Sequence, residues 1–249
     1  MKIFEKLETL AYKNIIVPFQ GRTTFDFVHK HYSEGMKVLD FGCGTGSNSK
    51  LFNPKDYIGS EVNSSRVESS EKNYPKYKFE KIPIINSSKD KFPWKDNSFD
   101  IVLVSLCLHH INTKSCKLIF KEFRRVLKSN GKILGIEPAL IGGKYFSNIL
   151  MNILDAGDYI LPVNKYKSMY ESESFKTTHI NVVKTFGYNL WQYSSVAIGE
   201  KSTKFENSKT RMRKITKPIH LFGLHGKWVM LIFFVYTLIN LLVNMFISV

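Results

Sequence analysis

The chain has 249 residues, of which 43% are hydrophobic, so it can form one α/β domain with a substantial core and an additional segment. Its net charge of +15 suggests a nucleic acid or an anionic surface as partner, but the lysines are scattered along the chain and no RNA-binding motif is visible, which argues against nucleic acid. Three cysteines (Cys43, Cys107 and Cys116) lack metal-site spacing, so no metal is expected. Without a visible secretion signal, they indicate a reducing compartment.

Two helices are predicted before the first strand, at residues 3–13 and 22–32, and they are expected to cover a ligand pocket. Residues 38–47 then read as a buried strand, a glycine-rich turn and the start of a helix. The glycines of this run stand at alternate positions: Gly42, Gly44 and Gly46. Without a Cβ, they let the backbone approach a ligand closely. Asp40 ends the strand, in the crevice where open α/β sheets bind ligands.

This Asp-x-Gly-x-Gly-x-Gly pattern resembles motif I of the class I, Rossmann-like, S-adenosylmethionine-dependent methyltransferases. Later segments match the same family in order: residues 57–61, residues 92–102 followed by Leu108 to Ile111, and residues 120–134. The similarity covers roughly residues 20–138. It implies an α/β fold with a seven-stranded, mostly parallel sheet, helices on both faces, and S-adenosylmethionine as cofactor.

The resemblance also implies which residues hold the cofactor. Those of the glycine-rich turn are Asp40, Gly42, Cys43, Gly44 and Gly46, with Cys43 contributing by packing. Glu61 follows about 20 residues after the turn and would bind the ribose hydroxyls. At the place where the family usually carries an Asp for the adenine amino group, this chain has Ser88, a neutral and weaker acceptor. The alternative is that Asp90 reaches back to that place.

Methyl transfer mainly needs alignment of donor and acceptor, so neither a catalytic triad nor a metal is required. His109 and His110 follow the fourth predicted strand, where a neutral imidazole could take a proton from a hydroxyl acceptor. The alternative for both is a structural or pocket-shaping role. Glu137, at the end of the fifth strand, could orient an acceptor or cap the next turn.

The stretch after Gly142 is irregular and rich in aromatic residues, which either line an acceptor pocket or belong to the core. These residues are Tyr145, Phe146, Tyr159, Tyr166, Tyr170 and Phe175. Residues 179–186 and 193–199 then read as two strands joined by a turn at residues 187–189. They would form the antiparallel hairpin that closes the sheet.

Residues 228–249 contain no charged residue and as a helix would be about 33 Å long, enough to cross the ~30 Å core of a bilayer. We therefore expect a methyltransferase domain at residues 1–201, a basic linker at residues 202–227 and a transmembrane anchor at residues 228–249. The cationic linker would keep the catalytic domain on the cytoplasmic side. A buried core helix or a dimer interface is the alternative for this segment.

An anchor favours an acceptor at the membrane, namely a lipid, an isoprenoid quinone or a lipid-linked saccharide. Two other functions remain open at this point. One is a membrane-tethered cofactor-binding protein without catalysis. The other is a nicotinamide-dependent oxidoreductase, which is disfavoured because a dinucleotide fingerprint would need glycine where this chain has Ser47.

Overall fold

The computed structural model describes residues 24–155, 157–185 and 190–199. The predicted helix at residues 3–13, the hairpin turn at 187–189, the linker at 202–227 and the apolar segment at 228–249 lie outside these ranges. Within the described ranges, no helix is both long and apolar enough to cross a membrane.

A mixed sheet forms the centre of the domain. Its strands are β1 (Val38–Phe41), β2 (Tyr57–Glu61), β3 (Lys78–Lys81), β4 (Phe99–Ser105), β5 (Leu127–Leu140), the two-residue β6 (Leu161–Pro162), β7 (Phe175–Thr185) and β8 (Leu190–Gly199). The spatial order is β3-β2-β1-β4-β5-β8-β7, with β6 beside β5. Strands β1 to β5 are parallel, while β8 is antiparallel to both β5 and β7. The predicted seven-stranded, mostly parallel sheet is confirmed, and β6 is an addition to it.

Helices cover the sheet on both faces. They are α1 (Ser64–Asn73), α2 (Thr113–Val126), α3 (Tyr145–Leu154) and α4 (Val163–Ser172), and residues 24–29 are helical as well. Asn63 caps α1 by accepting hydrogen bonds from the amides of Ser65 and Arg66, and Asn112 caps α2 by accepting from the amide of Ser115. These side chains satisfy amides that have no partner inside the helix.

Two hydrophobic clusters lie on opposite sides of the sheet. On one side, Phe120 and Phe123 of α2 pack with Leu39 of β1. On the other side, Val67 of α1 packs with Val38 of β1. Because both faces of the central strands are buried, these strands appear in the sequence as continuous apolar runs rather than as alternating patterns.

Three of the aromatic residues considered for an acceptor pocket belong to the core. Tyr166, Tyr170 and Phe175 are at most 1% exposed. The Tyr166 ring stacks on Tyr193 with centroids 5.3 Å apart, and its hydroxyl donates to the carbonyl of Pro138 at 3.0 Å. The predicted closing hairpin is present as β7 and β8, and β7 begins before the predicted residue 179, at Phe175, because that side chain packs into the core.

Candidate active site

The strand order reverses between β1 and β4, so a crevice opens there at the carboxyl ends of the parallel strands. The turn after β1 places Gly42, Gly44 and Gly46 in the left-handed region, at φ values of 70°, 58° and 79°. A Cβ on Gly42 would collide with Cys107, and one on Gly46 would lie 2.8 Å from the Phe79 ring. A Cβ on Gly44 would meet nothing within 4 Å. Gly42 and Gly46 are therefore required by packing, whereas the backbone of Gly44 faces space that a ligand can fill.

Glu61, the last residue of β2, holds this turn from the side. Its Oε2 accepts a hydrogen bond from the Gly44 amide at 3.2 Å, and its Oε1 accepts from the amides of Val62 at 2.8 Å and Asn63 at 3.0 Å. The Arg66 guanidinium lies 3.7 Å from Oε2. The carboxylate that the sequence predicts for the ribose thus sits beside the open backbone of Gly44, in a fixed orientation.

Asp40 lies beneath the turn and is almost fully buried. The Tyr57 hydroxyl donates to its Oδ2 at 2.7 Å, while Oδ1 is buried and forms no hydrogen bond of ordinary geometry. Burial raises the pKa of Asp40 from 3.8 to about 7, against the opposing effects of Tyr57 and the nearby Asn48 side chain. The negative charge of Glu61 raises it further. A positively charged ligand in the crevice would favour the ionised form of Asp40.

The loop after β3 contains the predicted adenine-site residue, Ser88, which is exposed. Asp90 shapes this loop, since its Oδ2 accepts hydrogen bonds from the amides of Asn86 at 2.9 Å and Ser87 at 2.8 Å. The same bonds lower the pKa of Asp90. Because its carboxylate is engaged within the loop, Asp90 is a poor substitute for the usual adenine-binding Asp, and Ser88 remains the candidate.

The two histidines after β4 have different environments. His109 is buried, and its Nδ1 lies 2.6 Å from Oε2 of the fully buried Glu137. The other oxygen of Glu137 accepts hydrogen bonds from the amides of Cys107 at 3.0 Å and Leu108 at 2.8 Å. A carboxylate can only accept here, so we assign the shared proton to Nδ1 of His109. Glu137 therefore fixes the turn between β4 and α2, as a capping role requires, and it orients His109.

His109 also holds the chain that follows α3. Its Nε2 lies 3.4 Å from Oδ1 of Asp155, and its carbonyl accepts a hydrogen bond from the amide of Tyr159 at 2.9 Å. Gly157 packs so closely against the imidazole that a Cβ there would overlap the ring. The sequence offered little signal for Asp155 and Gly157, because only the fold brings them to His109.

His110, in contrast, is exposed, with its ring centroid 4.1 Å from that of His109. The part of the His110 ring that is shielded from water and, after it, the neighbouring His109 lower the pKa of His110. Its imidazole is therefore neutral near pH 7. Of the predicted pair, His110 is thus the exposed side chain, whereas His109 is buried and held by Glu137.

Comparison with known proteins agrees with this geometry. Residues 39–135 match the protein family described as a methyltransferase domain. Among curated proteins, the chain is 27% identical to a sterol 24-C-methyltransferase of Gibberella zeae over 192 residues, which are 70% of this chain and 47% of that protein. The chain spans less than half the length of the curated relatives that it matches first.

Solved structures show the same fold. An S-adenosylmethionine-dependent methyltransferase of Methanosarcina mazei superposes with a TM-score of 0.55 at 18% identity, covering 70% of this chain and 97% of that one. The geranyl diphosphate C-methyltransferase of Streptomyces coelicolor, solved with Mg²⁺, geranyl diphosphate and S-adenosyl-L-homocysteine, superposes with a TM-score of 0.57 at 11% identity, covering 72% of this chain and 80% of that one.

Residues 39–135 thus match a methyltransferase domain, and the described part of the chain has the Rossmann-like fold of the class I methyltransferases. S-adenosylmethionine is the cofactor of this domain. The residues present fit that group, because the open backbone at Gly44 and the carboxylate of Glu61 lie side by side at the crevice, with Asp40 buried beneath the turn.

Proposed function

We propose that the chain transfers a methyl group from S-adenosylmethionine to a small-molecule acceptor at a membrane. The observation that carries this proposal is the glycine turn, where Gly44 alone of the three glycines faces open space and Glu61 lies beside it. A turn of this kind, at the point where the strand order reverses, is where α/β sheets bind nucleotide-like ligands.

The bound cofactor supplies a methyl group that is already activated by a sulfonium centre. The chain's own residues then have three tasks. Glu61 would orient the ribose, and Ser88 would contact the adenine. His110, exposed and neutral, would accept the proton of a hydroxyl acceptor, while Glu137 and His109 hold the turn that carries it.

The membrane location rests on the sequence beyond residue 199. Residues 228–249 carry no charge, and the preceding basic residues of 202–227 suit the cytoplasmic side of a bilayer. We therefore place the methyltransferase domain at residues 1–201 in the cytoplasm, tethered by one C-terminal helix. Two of the similar proteins are named for a sterol and for geranyl diphosphate, which supports an apolar acceptor. Lipids, isoprenoid quinones and lipid-linked saccharides all meet this description.

The test is to incubate the full chain and methyl-labelled S-adenosylmethionine with a membrane lipid extract and to follow the label. We expect label in the lipid fraction with the parent chain, and a large loss with Gly44→Ala, whose methyl group would occupy ligand space. Gly35→Ala is the matched control, since Gly35 also has a positive φ, 93°, and open space but lies before β1, away from the crevice. It should keep the transfer.

Binding measurements with S-adenosyl-L-homocysteine and with a nicotinamide cofactor, made beside the labelling experiment, separate the competing functions. Binding of S-adenosyl-L-homocysteine without any labelled product would favour a tethered cofactor-binding protein. Binding of a nicotinamide cofactor in place of S-adenosyl-L-homocysteine would favour an oxidoreductase. Label in the aqueous fraction alone would refute a membrane acceptor but not methyl transfer.

A further inference from the structure

Four of the seven large apolar side chains that are exposed among the described residues lie at one edge of the sheet. The other three are Phe25 in the helical residues 24–29, Ile180 on β7 and Ile198 on β8. Among the described residues, the most exposed large apolar side chains are Tyr145 (79%), Ile84 (63%) and Ile149 (58%), and Val62 is 42% exposed. All four follow the carboxyl end of a parallel strand: Val62 follows β2, Ile84 follows β3, and Tyr145 and Ile149 follow β5. They surround the edge at which the cofactor crevice opens.

Helix α3 presents one apolar side outward. Tyr145 and Ile149 are four residues apart, so they lie on the same side of the helix. Ser147 and Met151, on the other side, are buried at 6% exposure. The helix is thus anchored to the domain through one side, and its exposed side keeps large apolar groups in water. Such a patch usually marks a surface that binds a partner.

The exposed charged side chains at this edge are basic, and the acidic Asp155 beside His109 is half-buried. We define the carboxyl-edge surface as the exposed residues of segments 62–66, 82–91, 106–114 and 141–149. Its exposed charged residues are Arg66, Lys89, Lys91, Lys114 and Lys144. The single acidic residue in these segments, Asp90, is half-buried and engaged with backbone amides. The surface therefore combines apolar groups with an excess of cations, of which Arg66 is paired with the buried Glu61 at 3.7 Å.

The opposite edge of the sheet differs in its pattern of charges. There, three basic residues are paired with acidic ones: Lys55 with Glu34 at 3.6 Å, Arg125 with Asp96 at 2.9 Å, and Lys128 with Asp100 at 2.7 Å. The excess of cations at the carboxyl edge is thus a local feature, not a consequence of the lysine-rich composition.

We infer that the carboxyl-edge surface lies against an anionic lipid bilayer, so that the crevice opens toward the lipid. Apolar side chains beside lysines are the pattern of interfacial membrane binding, because the former enter the headgroup region and the latter bind anionic headgroups. The inference rests on the proposed membrane location and adds an orientation to it. The proposed anchor at residues 228–249 would not by itself fix how the domain is oriented on the bilayer, because a chain as long as residues 200–227 can extend about 90 Å.

The test places a tryptophan at each edge of the full chain. The protein is bound to vesicles of phosphatidylcholine and phosphatidylglycerol, with or without bromine on the acyl chains, and the emission added by the new tryptophan is measured against the parent. We expect brominated lipid to quench the added emission of Tyr145→Trp. The matched control is Asn130→Trp, exposed at the opposite edge, whose emission should not change.

A second variant tests the role of charge. Combining Tyr145→Trp with Lys89→Gln and Lys144→Gln should reduce the quenching, whereas combining it with Lys55→Gln should not. Binding of S-adenosyl-L-homocysteine, measured by calorimetry, should be the same in all of these variants and would show that each is folded.

The outcomes separate this inference from the proposed function. If the full chain does not associate with vesicles, both the membrane location and the orientation are wrong. If the chain associates and methylates a lipid acceptor, but Tyr145→Trp is quenched no more than Asn130→Trp, only the orientation is wrong.

Discussion

Replacing Asp40 by asparagine should remove a pH dependence from the stability of the domain. The carboxyl group is buried, and its pKa is about 7 in the folded chain against an ordinary value of 3.8. Between these two pH values, the folded state holds a proton that the unfolded state has released. Stability is therefore greatest below about pH 4 and falls as the pH rises through 7.

The size of the effect follows from the two pKa values. They differ by about three pKa units, and each unit corresponds to about 1.4 kcal/mol, so ionising Asp40 costs the fold about 4 kcal/mol. The asparagine variant has no such group but keeps an oxygen that can accept the hydrogen bond from Tyr57. Relative to the parent, Asp40→Asn should thus gain about 4 kcal/mol of stability between pH 4 and pH 8.

Urea-induced unfolding at several pH values, without cofactor, measures this difference. Tyr57→Phe is a useful control, because it removes the hydrogen bond that favours the ionised carboxylate and should extend the loss of stability to higher pH and make the total loss larger. Equal slopes of stability against pH for the parent and Asp40→Asn would refute the reasoning. In that case, Asp40 would have an ordinary pKa despite its burial.

Three further predictions concern individual contacts. Glu61→Ala should weaken binding of S-adenosyl-L-homocysteine by about 1.5 to 3 kcal/mol, the range for a hydrogen bond to a charged group, and an unchanged affinity by calorimetry would contradict its role at the ribose. Ser88→Asp should tighten cofactor binding and Ser88→Ala should weaken it, because the carboxylate is the stronger acceptor; equal dissociation constants for the parent and both variants would remove Ser88 from the adenine site. Glu137→Ala should destabilise the fold by about 3 to 5 kcal/mol, since it removes the acceptor that Nδ1 of the buried His109 and the amides of Cys107 and Leu108 share. Glu137→Gln, which keeps an acceptor oxygen, should lose less, and a melting temperature that is the same for both variants as for the parent would show that the Glu137 contacts do not hold the turn.

The strand, glycine turn and acidic residue of the cofactor site could be predicted from the sequence because they depend on local chemistry. Alternating glycines after an apolar run permit a turn with left-handed backbone angles. The structure has such angles at Gly42, Gly44 and Gly46. The distance from this turn to Glu61 is that of one helix and one strand, so the two meet at the same edge of a parallel sheet.

The environments of the histidines and of Glu137 depended on the tertiary structure. His109 and His110 are neighbours with the same chemistry, and only packing decides that one is buried and the other exposed. Glu137 is 28 residues from His109 in sequence, and their contact exists because β4 and β5 lie side by side. No local pattern records such a pairing.

Burial likewise decided which of the aromatic residues after β5 belong to the core and which are exposed. A tyrosine can complete a core or stand in water, and its sequence neighbours do not distinguish the two. Tyr166 is buried because its ring stacks on Tyr193 of a later strand, whereas Tyr145 is exposed on the outer side of α3. The sequence by itself thus determined the cofactor turn and the succession of strands along the chain, since both follow from local spacing and hydrophobic pattern. The tertiary structure determined which side chains face the crevice, the core or the outside, because those positions depend on contacts between residues far apart in the chain.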